Sequence, residues 1–290
     1  MQVIDEDYTM HLQKALAKDN ILFFTNQGRV YSMKVYEIPE SSRVSRGTPI
    51  INLVQLQPEE KVTAMLAQRE LNTEGYIVMA TRDGVIKKTP SVEYRNVRKN
   101  GLLAISLKDD DELIRVQETT GSQNILLVTK KGMSIYFNEE EIRLSGRASI
   151  GVRGIKLSGG DAVVGMEVES ADRTVLFVAE NGIGKRSKFE DFTLQGRGGK
   201  GARCYKVVDK TGEIVSTETV NEEEEVMLIT TEGIMIRTPV THIPVLGKMT
   251  SGVKLMALAK DSEAKIASFT VVDAEDEKAA EEDEENPEVL

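Results

Sequence analysis

The chain has 290 residues, 40% of them hydrophobic, with one cysteine, two histidines and a formal net charge of −10. It is long enough to bury a sizeable core. It offers no apolar run long enough to predict a membrane span, no internal disulfide and no zinc-ligand spacing. The first ten residues are acidic and polar, unlike a signal peptide, so we expect a cytoplasmic protein.

The negative charge is concentrated at the C-terminus. Residues 273–290 contain ten acids and one lysine, a net charge of −9, so the other 272 residues carry about −1. Because this segment is acidic and poor in apolar residues, we predict a disordered acidic tail over 273–290. The remaining body is near neutral overall, and it can still present a basic face.

An internal repeat dominates the sequence. A run of four apolar residues, a short polar step and a glycine recur five times, with the glycines 56, 48, 50 and 51 residues apart. A second glycine follows the first by 19, 17, 19, 19 and 19 residues. The paired glycines are Gly28 and Gly47, Gly84 and Gly101, Gly132 and Gly151, Gly182 and Gly201, and Gly233 and Gly252. Spacing of this kind is typical of a repeat architecture.

Each repeat predicts four short strands, shown here by the first two. Residues 21–24 form an apolar strand, a turn ends at Gly28, and a return strand covers 29–34. In the second repeat a third strand over 103–107 follows the second glycine, and an acidic turn leads to a fourth. Four-stranded units of about 50 residues are typical of β-propeller blades. We therefore predict an all-β propeller with five complete repeats. A tandem of independent small β domains is disfavoured, because a lone unit of this size buries too little surface.

Cations recur in register between the return strand and the second glycine, and on the return strands themselves. Superposable repeats would place them on one rim as an arc that contacts phosphates without reading bases. The alternative is that these cations only keep edge strands soluble. The candidate DNA-binding residues are Arg43, Arg46, Lys87, Lys88, Arg95, Arg98, Lys99, Arg143, Arg147, Lys185, Arg186, Arg197, Lys200, Arg203, Arg237 and Lys248.

A glycine-rich segment in the fourth repeat satisfies the pattern G-x-G-x-x-G. A dinucleotide site would need a strand that leads into a crossover helix, whereas the repeat predicts strands on both sides. We interpret the segment as a flexible turn that lets a phosphate backbone approach closely, with a plain loop as the alternative. Its residues are Gln195, Gly196, Arg197, Gly198, Gly199, Lys200 and Gly201.

Three longer motifs carry a family resemblance: residues 28–39 (GRVYSMKVYEIP), 47–53 (GTPIINL) and 151–157 (GVRGIKL). With them, nearly the whole chain, from about residue 4 to 272, resembles the C-terminal domains of DNA gyrase A subunits. The resemblance implies a six-bladed propeller that binds and bends duplex DNA around a basic rim and so supports ATP-dependent negative supercoiling.

Two features depart from that family. Its defining box, Gln-Arg-Arg-Gly-Gly-Lys-Gly, sits in the first repeat, whereas the box-like segment here is in the fourth, with Gly196 in place of an arginine. Residues 1–18 look like the closing strand of a blade that lacks its opening half. We therefore expect a truncated chain, with a remnant of a sixth blade at 1–18, a propeller at 19–272 and the tail at 273–290.

The resemblance implies a non-catalytic module, since none of the seven tyrosines matches the DNA-cleaving motif of the parent enzyme. Expected partners are double-stranded DNA, the remainder of the gyrase A subunit, and the gyrase B subunit in an A2B2 holoenzyme. We expect no membrane, metal or cofactor, and a location at the bacterial nucleoid. One alternative is the corresponding domain of topoisomerase IV, which binds DNA without strong wrapping. A protein-interaction propeller is the other; such propellers usually carry Trp-Asp or paired-glycine signatures, and this chain has no tryptophan.

Overall fold

The computed structural model describes residues 15–40, 47–68, 74–108, 110–258 and 263–273. In these ranges the chain consists of short strands, turns and single-turn 3-10 helices. The strands are β1 (Asn20–Thr25), β2 (Arg29–Lys34), β3 (Val62–Gln68), β4 (Tyr76–Thr81), β5 (Val85–Pro90), β6 (Leu102–Leu103), β7 (Leu113–Thr119), β8 (Asn124–Thr129), β9 (Met133–Asn138), β10 (Val152–Arg153), β11 (Val163–Val168), β12 (Thr174–Ala179), β13 (Ile183–Ser187), β14 (Ala202–Arg203), β15 (Ile214–Val220), β16 (Glu224–Thr230), β17 (Met235–Pro239), β18 (Val253–Lys254) and β19 (Ile266–Asp273). The 3-10 helices are η1 (Val35–Glu37), η2 (Ile50–Asn52), η3 (Ser91–Tyr94), η4 (Glu139–Glu141), η5 (Phe189–Asp191) and η6 (Val240–His242). In the described ranges no helix is long and apolar enough to cross a membrane.

The strands form five antiparallel sheets, which are the blades of a five-bladed β-propeller. Blades 1 to 4 run, from the centre outwards, β3-β1-β2-β6, β7-β4-β5-β10, β11-β8-β9-β14 and β15-β12-β13-β18. Blade 5 has the order β19-β16-β17 in the part of the chain that the structure describes. The predicted all-β propeller of five repeats is confirmed.

The apolar runs become central strands because both faces of a blade are covered. In β1, Leu22 and Phe24 face blade 2, where they pack with Ile77 and Met79 of β4. A strand buried on both sides reads as a continuous apolar run rather than as an alternating one. Equivalent clusters join blade 2 to 3, 3 to 4 and 4 to 5, so the hydrophobic core is a series of interfaces between blades.

In repeats 2 to 5 the third strand does not join the blade of its own repeat, contrary to the sequence-based expectation. In the second repeat β6 leaves and pairs with β2 of blade 1, with Leu102 opposite Val30. The next two N–H groups, of Ala104 and Ile105, both donate to the carbonyl oxygen of Gly28, at 2.8 and 3.1 Å. The same exchange joins β10 to β5, β14 to β9 and β18 to β13.

Glycine at two positions makes this exchange possible. Gly101 has a φ of +71°, which turns the chain outwards, and a Cβ there would lie 2.4 Å from the ring of Tyr31. Gly28 has a φ of +76°, and a Cβ there would lie 2.5 Å from the carbonyl oxygen of Ile105. A side chain at either place would combine an unfavourable backbone conformation with a clash. Gly101 therefore lies where the chain enters the exchanged strand β6, and Gly28 lies against the residues that follow β6.

The first repeat is the exception. After Gly47 its chain forms η2, and Ile50 and Leu53 pack with Ile21 and Phe23 on the face of blade 1 that points away from blade 2. In blade 5, no described residue forms an outer strand against β17. The five blades thus consist of four four-stranded sheets and one sheet with three described strands.

The predicted domain boundaries stay predictions. The strands run from Asn20 to Asp273, so the last strand ends one residue beyond the propeller predicted over 19–272 and includes the first residue of the predicted tail. Residues 1–14 of the predicted remnant blade and residues 274–290 of the predicted tail lie outside the described residues.

Candidate nucleic-acid interface

Two predicted DNA-binding lysines are interior residues. Lys87 and Lys185 occupy the same position of β5 and β13, and neither side chain is exposed. The ammonium of Lys185 donates to the carbonyl oxygens of Cys204 and Gly247, at 3.0 and 2.8 Å. Burial lowers the pKa of Lys87 to about 7 and that of Lys185 to about 8. Both ammonium groups donate to backbone carbonyl oxygens of the same and the following repeat. We therefore remove Lys87 and Lys185 from the predicted interface.

The residues that follow them, Lys88 and Arg186, are each only 4% exposed. The Lys88 ammonium lies 3.3 Å from a carboxylate oxygen of Glu139. The Arg186 Nε donates to the carbonyl oxygen of Ile243 at 2.7 Å. Both therefore fasten the loop of the following repeat to the blade, and they too are withdrawn from the predicted interface.

The outermost strands carry an exposed row of cations. Arg153 of β10, Arg203 of β14 and Lys254 of β18 occupy the same register position on the edges of blades 2, 3 and 4. Lys156 and Lys206, three residues further along, are also exposed. Blade 1 has Leu103 and Ser106 at these two positions, so the row spans three blades.

Of this row the sequence prediction contained only Arg203. The signal for the others was present, because Arg153, Arg203 and Lys254 each stand two residues after the second glycine of their repeats. It was missed because the third strand was counted with the blade of its own repeat, so its position on the outer edge of the preceding blade was not apparent.

The loops before the second glycine hold most of the remaining candidates. Arg95, Arg98, Lys99, Arg143 and Lys200 are exposed, whereas Arg147, Arg197, Arg237 and Lys248 are partly buried. Several of these side chains have acidic neighbours: Lys99 lies 3.4 Å from Glu37, Arg147 lies 3.9 Å from Glu93, and Arg237 pairs with Glu225. Arg43 and Arg46 lie outside the described residues.

The box-like segment docks on the outer strand of blade 2. The N–H of Gly198 donates to the carbonyl oxygen of Gly154 at 2.7 Å, and the N–H of Lys156 donates to that of Gly199 at 2.8 Å. Arg197 donates its side chain to the backbone carbonyls of Glu141 and Arg153. Its guanidinium thus holds the loop in place, while the side chain of Lys200 is exposed to solvent. The two cations of the box-like segment have different surroundings.

The central channel is polar and of a different kind. The inner strands β3, β7, β11, β15 and β19 surround a cavity of about 590 Å³. Arg115 of blade 2 reaches across to blade 4, where it lies 3.2 Å from Glu218. Burial and the neighbouring Glu218 raise the pKa of Glu167 to about 8. Because the two signs of charge are paired here, the channel has no surplus of positive charge that would attract a polyanion.

Metal and cofactor ligands do not converge in the described part of the chain. No group of three or more His, Cys, Asp or Glu side chains there has the geometry of a metal site. Cys204 is buried beside Gly132, where burial raises the pKa of its thiol to about 12 and keeps it protonated. The exposed cations of the outer rim are therefore the feature best suited to bind a ligand.

The repeats match a known protein family. The family described as DNA gyrase C-terminal domain, beta-propeller, matches residues 19–69, 75–119, 123–168, 173–221 and 224–273. The chain belongs to this family. Each matched segment contains the inner and the two middle strands of one blade, and the second to fifth segments also contain the short outer strand of the preceding blade, so the family unit is the sequence repeat rather than the structural blade.

Curated relatives agree with this assignment. The DNA gyrase A subunit of Clostridium acetobutylicum is 44% identical over 289 residues, which is 100% of this chain and 35% of that protein. The gyrase A subunits of Halalkalibacterium halodurans and Streptococcus pyogenes serotype M3 are 48% and 50% identical, over 96% of this chain and 33% and 34% of theirs. The chain thus spans about a third of the length of these relatives.

Two solved structures share the fold over most of the chain. The C-terminal domain of DNA topoisomerase IV matches with a TM-score of 0.80 and 25% identity, covering 93% of this chain and 85% of that one. A DNA gyrase A C-terminal domain matches with a TM-score of 0.75 and 26% identity, covering 88% and 83%. Both subfamilies that the sequence left open are therefore structural neighbours.

Proposed function

We propose that this chain is the non-catalytic DNA-binding and DNA-wrapping domain of a DNA gyrase A subunit, which bends duplex DNA around the outer rim of the propeller. The main support for this proposal is the row of Arg153, Arg203 and Lys254 on the outermost strands of three successive blades. Cations at one register on rotated blades form an arc, and an arc of cations binds a curved duplex through its phosphates.

The partially exposed and exposed loop cations extend this arc. Arg143, Lys200 and Lys248 precede the second glycines of three successive repeats, beside the outer strands. Contacts of this kind are made to phosphates and carry little sequence information. The chain therefore binds duplex DNA with weak base preference and strong salt dependence.

The wider role follows from the relatives. Wrapping by this domain supports ATP-dependent negative supercoiling by a type II topoisomerase. That parent enzyme contains the remainder of the A subunit, together with the gyrase B subunit, in an A2B2 assembly. The cleavage and ATP chemistry belong to those other parts, and this chain works at the bacterial nucleoid without a cofactor.

The test is a triple variant, Arg153→Ala, Arg203→Ala and Lys254→Ala, measured on a duplex over a series of salt concentrations. Each lost phosphate contact lowers the slope of log affinity against log salt by about 0.9, so a fall of about 3 is expected. A matched control replaces Lys61, Lys108 and Lys210, exposed cations in the turns before the inner strands, with alanine. Equal effects of the two triple variants would contradict the proposal.

The topoisomerase IV alternative stays open because the C-terminal domain of a DNA topoisomerase IV shares the fold with a TM-score of 0.80. It predicts the same affinity and salt slope without strong bending. A closed relaxed plasmid, incubated with the chain and then with a nicking-closing enzyme, distinguishes the two. A change of linking number supports wrapping, whereas an unchanged linking number with normal affinity supports the alternative.

A further inference from the structure

The rim carries a second row, and this row is apolar. Leu144, Leu194 and Val245 each stand two residues before a glycine of the loop, at the same position of three successive repeats. Their exposed fractions are 54%, 56% and 39%. Single exposed apolar residues on a surface are ordinary, but three at one register of a repeat form an organised feature.

Each of these residues is fixed to the outer edge of the preceding blade. Leu144 forms a parallel bridge with Lys88 of β5, Leu194 with Tyr136 of β9, and Val245 with Arg186 of β13. Hydrogen bonds from the following N–H groups, of Ser145, Gln195 and Leu246, hold the loops at 3.0, 2.9 and 2.8 Å. The apolar side chains therefore project from ordered backbone.

The apolar row runs beside the cation row. On β5, Arg153 lies opposite Val85 and Leu144 opposite Lys88, three residues apart. At 3.3 Å per residue this separation is about 10 Å, which is within the 12 Å width of the DNA major groove. The same offset of three residues recurs on β9 and on β13. Because the offset is an odd number of residues, the two side chains point to opposite faces of the blade, and a duplex that lies along the outer edge can contact one from each side.

Blade 1 provides an internal comparison. Its outer strand has Leu103 and Ser106 in place of the cations. The loop that approaches it, between Tyr94 and Gly101, is two residues shorter than its counterparts, and Val97 in it is 8% exposed. Among the described blades, the apolar row and the cation row are present together on blades 2 to 4 and are both missing from blade 1.

We propose that Leu144, Leu194 and Val245 are DNA-bending residues, which press against deoxyribose and base-step edges in the grooves while the neighbouring cations hold the phosphates. Apolar side chains that enter a groove partly unstack a base step and kink the duplex by about 20–90°. Curvature would then be set by the apolar row and affinity by the cation row. This inference rests on the proposed function, because it requires duplex DNA at the rim.

The experiment separates bending from binding. The full chain carrying Leu144→Gln, Leu194→Gln and Val245→Thr is compared with a control carrying Leu16→Gln, Ile51→Gln and Val92→Thr. The control residues are 54%, 66% and 41% exposed and lie away from the outer strands of blades 2 to 4. End-to-end energy transfer is read on a labelled duplex of about 40 base pairs, well below the persistence length of about 150 base pairs. Circular dichroism and Tm verify folding.

We expect the rim variant to lose most of the bending signal while its affinity falls less than about threefold and its salt slope is unchanged, since the phosphate contacts remain. A conservative variant with Leu144→Met, Leu194→Met and Val245→Ile should keep the bending. Equal bending by the rim variant and the control overturns this inference. If, in addition, the cation variant binds like wild type, the proposed function fails as well. Loss of affinity in proportion to bending would show that the row only adds contact area, which also overturns it.

Discussion

The ammonium of Lys88 lies 3.3 Å from a carboxylate oxygen of Glu139, and the two buried side chains belong to adjacent repeats. The Glu139 carboxylate also accepts hydrogen bonds from the hydroxyl of Thr119 at 2.7 Å and from the N–H groups of Gly121 and Gln123, both at 2.9 Å. Glu139 begins η4, directly after β9 of blade 3. Its carboxylate therefore joins this segment to blade 2.

We expect Glu139→Gln to lower the free energy of unfolding by about 3–5 kcal/mol, because it leaves the buried ammonium of Lys88 without its counter-charge. Urea unfolding followed by circular dichroism measures this. The exposed neighbour Glu140 provides a control, and Glu140→Gln should change stability by less than about 0.5 kcal/mol. A similar loss in both variants would mean that the ion pair has no special weight.

The buried lysines predict an unusual pH dependence. Lys87 has a folded pKa of about 7, whereas an unfolded lysine keeps its proton up to its ordinary value of 10.5. Between these two pH values the unfolded chain binds more protons than the folded one, so this lysine makes stability rise with pH. The measurement is the difference in unfolding free energy between wild type and Lys87→Met. That difference should shift in favour of wild type from about pH 6 to about pH 9. A difference that does not change with pH would place the ammonium in a well-solvated site.

Glu167 in the channel predicts the opposite slope. Its folded pKa of about 8 is above the ordinary value of 4.5, so the folded chain binds more protons between these limits and stability falls as pH rises. Glu167→Gln keeps an acceptor for the hydroxyl of Thr217, which donates to this side chain at 2.6 Å. The variant should therefore gain stability relative to wild type from about pH 5 to about pH 8 in thermal melts. Parallel pH profiles of the two proteins would refute the assignment.

Arg197 and Lys200 should respond differently to alanine. Arg197 holds the box-like loop through backbone carbonyls, so Arg197→Ala should lower Tm and loosen the loop, seen as faster amide exchange at Gly198. Lys200 is exposed, so Lys200→Ala should leave Tm within error and lower DNA affinity, with a salt slope smaller by about 0.9. Indistinguishable effects of the two substitutions on Tm and on affinity would contradict the separate roles.

The strand count per repeat and the propeller could be predicted because they depend on local patterns. The apolar run of residues 21–24 and the turn at Gly28 specify a hairpin whatever surrounds it. The exchange of the third strand could not be predicted in this way. Whether residues 102–103 pair with β5 of their own blade or with β2 of the preceding blade depends on which edge is free, and that is a property of the assembled propeller.

The site was predicted in part for the same reason. Lys87 and Lys200 are both lysines beside a strand or turn, and the sequence does not distinguish them. One is buried because the following repeat closes over it, and the other is exposed on the loop that does the closing. The position of a cation in the repeat predicted that it lies near the rim, and the neighbouring repeat determined whether it points inwards or outwards.

Because of strand exchange, a blade is completed only after the following repeat has been synthesised. β2 of blade 1 ends at Lys34, but its outer partner β6 begins only at Leu102, after the hairpin of the second repeat. A ribosome that has released the first repeat has therefore released a sheet with an open edge, and each new repeat completes the blade before it. Such edges are sites of mispairing between nascent chains. Blades 1 to 4 are thus each protected from aggregation by the following repeat, and an interruption of translation within repeats 2 to 5 exposes the outer edge of the preceding blade.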